Sequence, residues 1–347
     1  MNSQKKYIQL YSHITDTIKS GGYISGDKLP TELELAETYG VSRQTVRQAL
    51  EKLEKDGFIS KVQGSGSYIT DSAAIIKQTM RIAVITTYIS TYIFPSILRG
   101  IENVATANHY SLMLSATNSS IAKEREILRN FSVNSVDGII IEGTKTAFPN
   151  PNLTFYKFLA DKNIPLVFIN GYYPELFEDK HDKIVCVVTE DYKGAYSQTL
   201  ELIRKGHSLI GGIFKCDDIQ GIRRYSGYID ALTKEEIEIN DDCIIWFNTE
   251  TKLSIEQQMA RSKMLSECTA ILCYNDEVAM QVLSYYEKTP GKLTALRSFD
   301  GTLSGQQHGI DFNSLVHPKE KLGQLAANKL LSIIDGKHEE STVMPWE

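Results

Sequence analysis

The segment SRQTVRQALEKL, which begins at Ser42, separates its apolar and polar positions onto two faces of a helix. Val46, Ala49, Leu50 and Leu53 fall on one face, and Ser42 precedes them as a helix N-cap. The opposite face carries arginine and glutamine, the side chains that hydrogen-bond to guanine and adenine edges in the DNA major groove. The pattern predicts a buried stripe behind a DNA-reading surface. Taken alone, the segment also fits an ordinary amphipathic surface helix.

The residues before this segment predict two more helices and a tight turn. Apolar residues at helical spacing predict a first helix over about residues 5–20. Thr31 and Glu34 form a capping-box pattern that starts a second helix, and Gly40 ends it. One residue separates Gly40 from the N-cap of the third helix. So short a turn between two helices predicts a helix-turn-helix.

Two short apolar runs follow the third helix and predict a β-hairpin. They cover residues 58–62 and 67–70, on either side of Gly64 and Gly66. Glycines at the tip of such a hairpin let the backbone approach a sugar-phosphate strand closely. Residues 1–70 are therefore predicted to form a winged helix-turn-helix.

From residue 81 onward, apolar runs of strand length alternate with amphipathic helical patterns. The runs predict buried strands over residues 81–86, 111–115, 138–141, 166–170, 185–188, 209–214, 244–247 and 270–273. Repeated strand–helix units predict parallel sheets with helices on both faces. Because one such sheet rarely holds so many strands, we expect two lobes with a cleft between them. Ligands of such sheets bind beyond the carboxyl ends of the strands.

Composition excludes several classes of protein. No stretch has the length and apolarity of a membrane span, and the start MNSQKKYIQLYS lacks the apolar core of a signal peptide, so we expect a cytoplasmic protein without a membrane partner. The five cysteines show no metal-ligand spacing, so we expect reduced thiols, no metal and no cofactor. Residues 1–70 hold nine Lys and Arg against eight Asp and Glu, so net charge does not argue for DNA binding.

The run LPTELELAETYGVSRQTVRQALEKLEKDGFISKVQGSGSYIT resembles the DNA-binding domain of the GntR family of bacterial transcription regulators. The resemblance implies that Arg43, Thr45 and Arg47 face DNA, that the start of the second helix approaches the backbone, and that the wing tip reaches the minor groove. Lys61 and Gln63 are either phosphate contacts or solvated wing residues. The predicted DNA-binding residues are Thr31, Glu32, Arg43, Gln44, Thr45, Arg47, Lys61, Gln63, Gly64 and Gly66.

Over roughly residues 81–335, runs such as FPSILRGIENVA, VDGIIIEGTK and TAILCYNDEVAM resemble the sensor domain of the LacI/GalR family, itself similar to periplasmic sugar-binding proteins. The predicted fold is thus an N-terminal winged helix-turn-helix (α+β) plus a two-lobe α/β, LacI-type sensor domain. The predicted divisions are 1–70 for the DNA-binding domain, 71–80 for a linker and 81–347 for the sensor, with lobe one at about 81–188 and 317–334 and lobe two at about 189–316 and 335–347.

Polar and aromatic residues just past the predicted strand ends are candidates for a sugar site. Such a site needs carboxylate, amide and guanidinium groups for hydroxyls, and an aromatic face for the ring. The family resemblance points to Phe94, Asp218, Gln220, Arg224, Phe247 and Asp300. Position at strand ends or before the first large helix adds Tyr92, Glu142, Lys145, Tyr172, Asn275 and Asp276.

Each candidate has an ordinary structural alternative. Asn275 or Asp276 could serve only as a helix N-cap, Lys145 only as a solvated charge, and the two phenylalanines only as core. Arg224 and Asp300 are favoured because a lone buried charge is costly and each needs partners in a cleft.

The pairing of a GntR-type reader with a LacI-type sensor resembles the arabinose-responsive regulators, which implies L-arabinose as the effector. We therefore predict a repressor that binds double-stranded, palindromic operator DNA as a homodimer and is released by a small sugar. The alternatives are another pentose or sugar derivative, or a ligand that acts as co-repressor. An enzyme is a second class, but no GxSxG, P-loop, HExxH or GxGxxG pattern occurs in the required context. A transport-type binding protein is a third class, which the winged helix argues against.

Overall fold

The computed structural model describes residues 3–19, 22–70, 79–131, 135–178, 181–289, 291–303 and 309–347. The chain forms two compact units, one built mainly from residues 1–81 and the other mainly from residues 82–347, with the short segment 132–137 grouped with the first. Most of the predicted linker, residues 71–78, lies outside the described residues.

The first unit is a winged helix-turn-helix. Its elements are α1 (Ser3–Lys19), α2 (Glu32–Tyr39), α3 (Arg43–Lys55), β1 (Ile59–Val62) and β2 (Gly66–Ile69). The predicted capping box is present, since the Glu34 amide donates to the Thr31 hydroxyl at 3.3 Å and the Thr31 amide donates to the Glu34 carboxylate at 2.7 Å. The apolar face predicted for α3 is buried in a core that also takes Leu10 and Ile14 of α1. Burial of this one face leaves the other face of α3 in solvent.

The wing contains a segment that the sequence pattern did not reveal. β1 and β2 pair antiparallel, and Lys28 forms an additional antiparallel bridge with Tyr68 of β2. The Leu29 amide donates to the Ser67 carbonyl at 2.9 Å, which extends this pairing. The residues before α2 therefore lie beside the hairpin, although so short a segment carries no strand periodicity.

The second unit holds two sheets, one per lobe, whose recorded pairings are all parallel. Lobe one has the order β13-β7-β6-β5-β3-β4, and lobe two has the order β12-β11-β10-β8-β9. The strands are β3 (Arg81–Thr86), β4 (Ser111–Ala116), β5 (Gly138–Ile141), β6 (Leu166–Ile169), β7 (Ile184–Thr189), β8 (Ile210–Lys215), β9 (Ile244–Phe247), β10 (Ala270–Cys273), β11 (Ala295–Asp300), β12 (Asp311–Val316) and β13 (Thr342–Met344).

Helices connect most successive strands of the described residues, and short 3₁₀ turns cover 174–176, 241–243 and 265–267. The helices are α4 (Phe94–Ala107), α5 (Ile121–Asn130), α6 (Leu153–Asp161), α7 (Asp191–Arg204), α8 (Ile219–Lys234), α9 (Ile255–Arg261), α10 (Asp276–Lys288) and α11 (Lys319–Ile334). None of the helices in the described ranges is both long and apolar enough to cross a membrane.

Two sequence predictions about the sensor need correction. The strand predicted over residues 111–115 exists, but it is an edge strand and not a buried one, with Met113 and Leu114 exposed. Residues 335–347 were assigned to lobe two, yet β13 within them pairs with β7 of the lobe-one sheet. A three-residue strand is too short to show a pattern, so its partner could not be inferred from the sequence.

Candidate functional site

One face of α3 presents exposed polar side chains, as its pattern predicts. Arg43, Gln44 and Arg47 are exposed. The Arg47 Nε atom donates to the carboxylate of Glu32, at the start of α2, at 2.9 Å. This exposed ion pair links the two helices of the turn and limits the directions that the Arg47 side chain can take.

Thr45 does not face outward, which corrects its assignment to the DNA surface. Only 4% of it is exposed, and its hydroxyl hydrogen-bonds to the Ser42 hydroxyl at 2.8 Å. Because successive residues of an α-helix are rotated by about 100°, Thr45 lies close to Ala49 on the buried face of α3. Thr31, by contrast, is exposed, and its hydroxyl donates to the Glu34 carboxylate at 2.9 Å.

The wing tip is exposed and carries one basic side chain that sequence reasoning missed. Gln63, Gly64 and Gly66 are exposed there, with φ of 78° at Gly64 and 130° at Gly66. A Cβ atom on Gly66 would lie 2.8 Å from Lys28 Cε, so the Lys28 side chain crosses the tip where only glycine leaves room. The ammonium of Lys61 pairs with Glu54 at 3.0 Å.

In the second unit a cavity of about 460 Å³ opens between the two lobes. Its lining residues follow the carboxyl ends of strands in both sheets, including Glu142 after β5, Asn170 after β6 and Asp300 at the end of β11. This is the position at which parallel α/β sheets bind ligands. The volume lies within the range of small-molecule sites.

Ten of the twelve predicted ligand-binding residues line this cavity. They are Tyr92, Phe94, Glu142, Lys145, Asp218, Gln220, Arg224, Phe247, Asn275 and Asp300. Tyr172 and Asp276 are not among the described lining residues. Tyr172 instead meets Arg223, whose guanidinium donates to its hydroxyl and lies 5.3 Å from its ring centre. The side chain of Asp276 accepts hydrogen bonds from Thr302, Leu303 and Ser314 and so holds the loop after β11.

Arg224 finds its counter-ion in a residue that sequence reasoning did not single out. Its Nε and one terminal nitrogen donate to Asp191 at 2.9 and 2.8 Å, and its other terminal nitrogen donates to the Tyr274 carbonyl. The guanidinium also lies 4.2 Å from the Phe299 ring centre. Burial raises the pKa of Asp191, and the Arg224 charge opposes that rise. Two N–H groups of Arg224 remain for a ligand.

Asp300 is buried at 3% exposure, and no contact recorded for the described residues engages its carboxylate oxygens. Burial raises its pKa to about 7, although the charge of Lys319 works against the rise. Burial lowers the pKa of the neighbouring lining residue His317 to about 3, with Arg224 and Lys319 adding to the effect. His317 is therefore a neutral imidazole at the cavity wall.

Several other predicted contacts already serve the protein. The Asp218 carboxylate caps α8 by accepting from the Gly221 amide at 2.8 Å, and it also accepts from Lys215 and Tyr274. Burial disfavours the charged form of Lys215, but Asp218 and Asp217 outweigh that effect, so its pKa rises. Asn275 is the N-cap of α10, as its alternative interpretation proposed.

The cavity wall holds polar side-chain atoms with no hydrogen-bond partner among the described residues. These atoms belong to Tyr92, Asn170, Gln220, Thr249 and His317. Five lining residues other than glycine also have positive φ: Tyr92, Ser119, Lys145, Asn170 and Asp300. Strained backbone of this kind concentrates at ligand sites. With the rings of Phe94 and Phe247, the wall offers hydrogen bonds and apolar faces side by side.

Direct contacts join the lobes around the cavity. Lys145 of lobe one pairs with Glu250 of lobe two, and the Ile219 amide of lobe two donates to the Thr146 hydroxyl at 2.9 Å. The Lys252 ammonium lies 4.9 Å from the Tyr88 ring centre. Within the described ranges, no group of three or more metal-ligating side chains could hold a metal ion.

Two family models match the chain. Residues 6–69 match bacterial regulatory proteins of the gntR family, and residues 79–346 match periplasmic binding proteins and the sugar binding domain of the LacI family. The chain belongs to the family of gntR-type regulators that carry a LacI-type sugar-binding domain. It is 35% identical to the arabinose metabolism transcriptional repressor of Geobacillus stearothermophilus over 339 residues, which is 95% of this chain and 91% of that protein.

A second relative and a solved structure are also similar to this chain. The arabinose metabolism transcriptional repressor of Halalkalibacterium halodurans is 35% identical over 349 residues, 97% of this chain and 91% of that protein. Among solved structures, the transcription regulator CcpA of Lactococcus lactis matches with a TM-score of 0.64 and 21% identity, over 77% of this chain and 96% of that one. The likeness to CcpA is one of fold.

Within this gntR-type, LacI-type fold, sequence reasoning left out further lining residues. Some of them, such as Thr87, Thr189 and Thr249, lie at or just after strand ends and could have been found by the rule used for the others. Lys252, Leu253, Met280 and Gln281 lie on a loop or on a helix face, where no local pattern separates a cavity wall from an ordinary surface.

Proposed function

We propose that this protein is a cytoplasmic transcriptional repressor that binds operator DNA as a dimer and is released by L-arabinose. Membership of the gntR-type, LacI-type family supports the regulator, and the two relatives named as arabinose metabolism repressors support the sugar. The observation that carries the proposal is the buried Asp300 carboxylate, for which the described residues record no hydrogen-bond partner, in a cavity wall that also holds unpartnered neutral acceptors and donors.

This wall suits a neutral polyhydroxyl compound better than an acidic or phosphorylated one. Three of its cations have counter-ions inside the protein: Lys145 with Glu250, Lys215 with Asp217 and Asp218, and Arg224 with Asp191. Besides Lys252, which lies over the Tyr88 ring, the groups without a recorded partner include a carboxylate, two amide oxygens, hydroxyls and a neutral imidazole. A sugar hydroxyl can donate to each of the acceptors and accept from the remaining N–H groups of Arg224.

In the proposed mechanism, the sugar bridges the lobes. Asp300 accepts from sugar hydroxyls, Arg224 donates to them, and Phe94 or Phe247 lies against the apolar face of the ring. When the sugar satisfies these hydrogen-bonding groups, it favours the closed cleft. The closed sensor then holds the two winged helices in an arrangement that does not fit the operator. Sugar and DNA binding are then antagonistic and reciprocal, with a coupling of roughly 1–3 kcal/mol per site.

The first test measures operator affinity with and without saturating L-arabinose. The unmodified protein should lose affinity with the sugar, whereas Arg224→Ala should bind the operator and stay bound. Because Arg224→Ala leaves the buried Asp191 unpaired, Gln220→Ala serves as a milder companion. Its side-chain oxygen has no partner in the described protein, so its loss should weaken the sugar response without lowering stability.

Two outcomes would redirect the proposal. Tighter operator binding in the presence of sugar would make the ligand a co-repressor. Calorimetric titration with a panel of pentoses and sugar derivatives tests the other alternative, since a lower dissociation constant for a different sugar would replace L-arabinose as the proposed effector. A full response in Arg224→Ala would refute the cleft assignment while leaving the regulator in place.

A further inference from the structure

A carboxylate in lobe one is completely buried without a cation beside it. Glu124, on α5, has no exposed surface, and no ion pair recorded for the described residues involves it. Its oxygens instead accept from the hydroxyl of Tyr156 and from the amide of Asn150 at 3.2 Å. The hydroxyl of Tyr173 lies 3.0 Å away and shares its one proton between Glu124 and the Thr144 carbonyl at 2.9 Å. A buried acceptor of this kind holds its hydrogen-bond donors in place, because the loss of any one of these bonds leaves a buried carboxylate oxygen without that partner.

Tyr173 connects this carboxylate to the turn after β5. The Thr144 amide donates to the Tyr173 hydroxyl at 2.7 Å, and the Asn150 amide donates to the same oxygen at 2.5 Å. A Cβ atom on Gly143 would lie 3.2 Å from Tyr173 Cε2, so the ring packs directly against the turn. The other hydroxyl donor to Glu124, Tyr156, has no recorded hydrogen bond to this turn.

The same turn reaches across to the second lobe. Lys145 takes a left-handed φ of 51° and pairs with Glu250, and Thr146 accepts from the Ile219 amide at 2.9 Å. Ile219 begins α8, the helix that also carries the lining residues Gln220 and Arg224. A continuous set of contacts therefore runs from Glu124 through Tyr173 and the turn to the helix at the opposite wall of the cavity.

We propose that Tyr173, held by Glu124, is the positioning residue that sets the 143–146 turn in the conformation that joins the two lobes. No hydrogen bond recorded for the described residues joins its hydroxyl to a cavity-lining residue outside the turn. Its effect on the effector rests on the proposed function, while its effect on the turn does not.

The matched variants are Tyr173→Phe and Tyr156→Phe in the full-length protein. Each removes one hydroxyl from the Glu124 carboxylate, so both should lower the unfolding midpoint, Tyr173→Phe by more because the Thr144 and Asn150 amides also lose their acceptor. Hydrogen exchange at the Thr144 and Ile219 amides should accelerate in Tyr173→Phe and stay at the unmodified rate in Tyr156→Phe. L-Arabinose affinity should fall roughly fivefold to tenfold in Tyr173→Phe alone, the size of one hydrogen bond. Operator affinity without sugar should be unchanged in both.

The outcomes separate the two proposals. Equal exchange at these amides in the two variants, or unchanged exchange in both, overturns the positioning role whatever the sugar result. An unmodified protein that binds no sugar refutes the proposed function and leaves the exchange comparison to decide on Tyr173. Should Tyr173→Phe not fold, Thr146→Val tests the outer end of the same contacts. It should accelerate exchange at the Ile219 amide and lower sugar affinity, and normal values for both would overturn the proposal.

Discussion

At Asp300 a single residue combines two unfavourable features. Its carboxyl group is buried without a recorded partner among the described residues, and its backbone has a φ of 97°, in the region that favours glycine. Costs of this kind persist where the surrounding structure imposes them and where function requires them. Asp276, which holds the loop immediately after Asp300 through Thr302 and Leu303, supplies part of that constraint.

The raised pKa of Asp300 predicts how stability depends on pH. Because burial raises the folded-state pKa from 3.8 to about 7, the folded protein binds this proton more tightly than the unfolded chain. Stability from this group is full below pH 3.8 and is lost as pH rises towards 7. Asp300→Asn should therefore raise the free energy of unfolding above pH 7 and leave it unchanged near pH 4, measured by urea unfolding. An equal difference at both pH values would show that the carboxyl charge is not the cause.

At this scale the sequence located residues better than it assigned their roles. Position after a strand end placed Glu142, Lys145 and Asn275 correctly at the cavity, since sheet topology alone brings strand ends together. It could not show that Asp276, one residue beyond Asn275, is absent from the cavity lining and instead accepts hydrogen bonds from the backbone amides of residues 302 and 303. Successive residues of a helix are rotated by about 100°, so an error of one residue in the helix start assigns a side chain to the wrong face. The helix start must therefore be known to within one residue.

At the scale of elements, α3 carries the DNA-reading proposal. Its apolar stripe fixes which side faces the core, and its free side presents Arg43 and Arg47. The exposure predicted for Thr45 is wrong, because this residue lies on the buried face of the helix, while the DNA contacts of the exposed residues stay a prediction. Strands such as β5 and β10 were predicted to the residue because each is a short, continuous apolar run buried on both faces. β13 was missed because three residues carry no period.

Replacement of Arg47 tests the reading surface of α3. Arg47→Ala should cost on the order of 1–3 kcal/mol of operator binding and relax specificity at one base pair. Lys52→Ala is the matched control on the same helix, because Lys52 pairs with Asp56 and lies over the Tyr11 ring, away from this surface. Binding to the operator and to single-base variants, measured by fluorescence anisotropy, distinguishes the two. A loss that is uniform across all sequences would make Arg47 a phosphate contact.

At the scale of the whole molecule, the reader and the sensor are two compact units. One winged helix contacts too few base pairs to select a site in a genome. We therefore expect a two-fold dimer on a pseudo-palindromic operator. Sedimentation should give twice the chain mass of 39.0 kDa. A monomer that binds one half-site as tightly as the full operator contradicts this expectation.

The chain contains two tryptophans in unlike places. Trp346 lies 5.1 Å from the Arg224 guanidinium, and its ring meets the imidazole of His317, a residue of the cavity wall. Trp246 is 39% exposed on β9 and away from that wall. Indole fluorescence responds to nearby charge and polarity, so under the proposed function the emission of Trp346 should change when a sugar binds beside Arg224 and His317. We therefore expect the molecule to carry an intrinsic optical signal of whether its cleft is occupied.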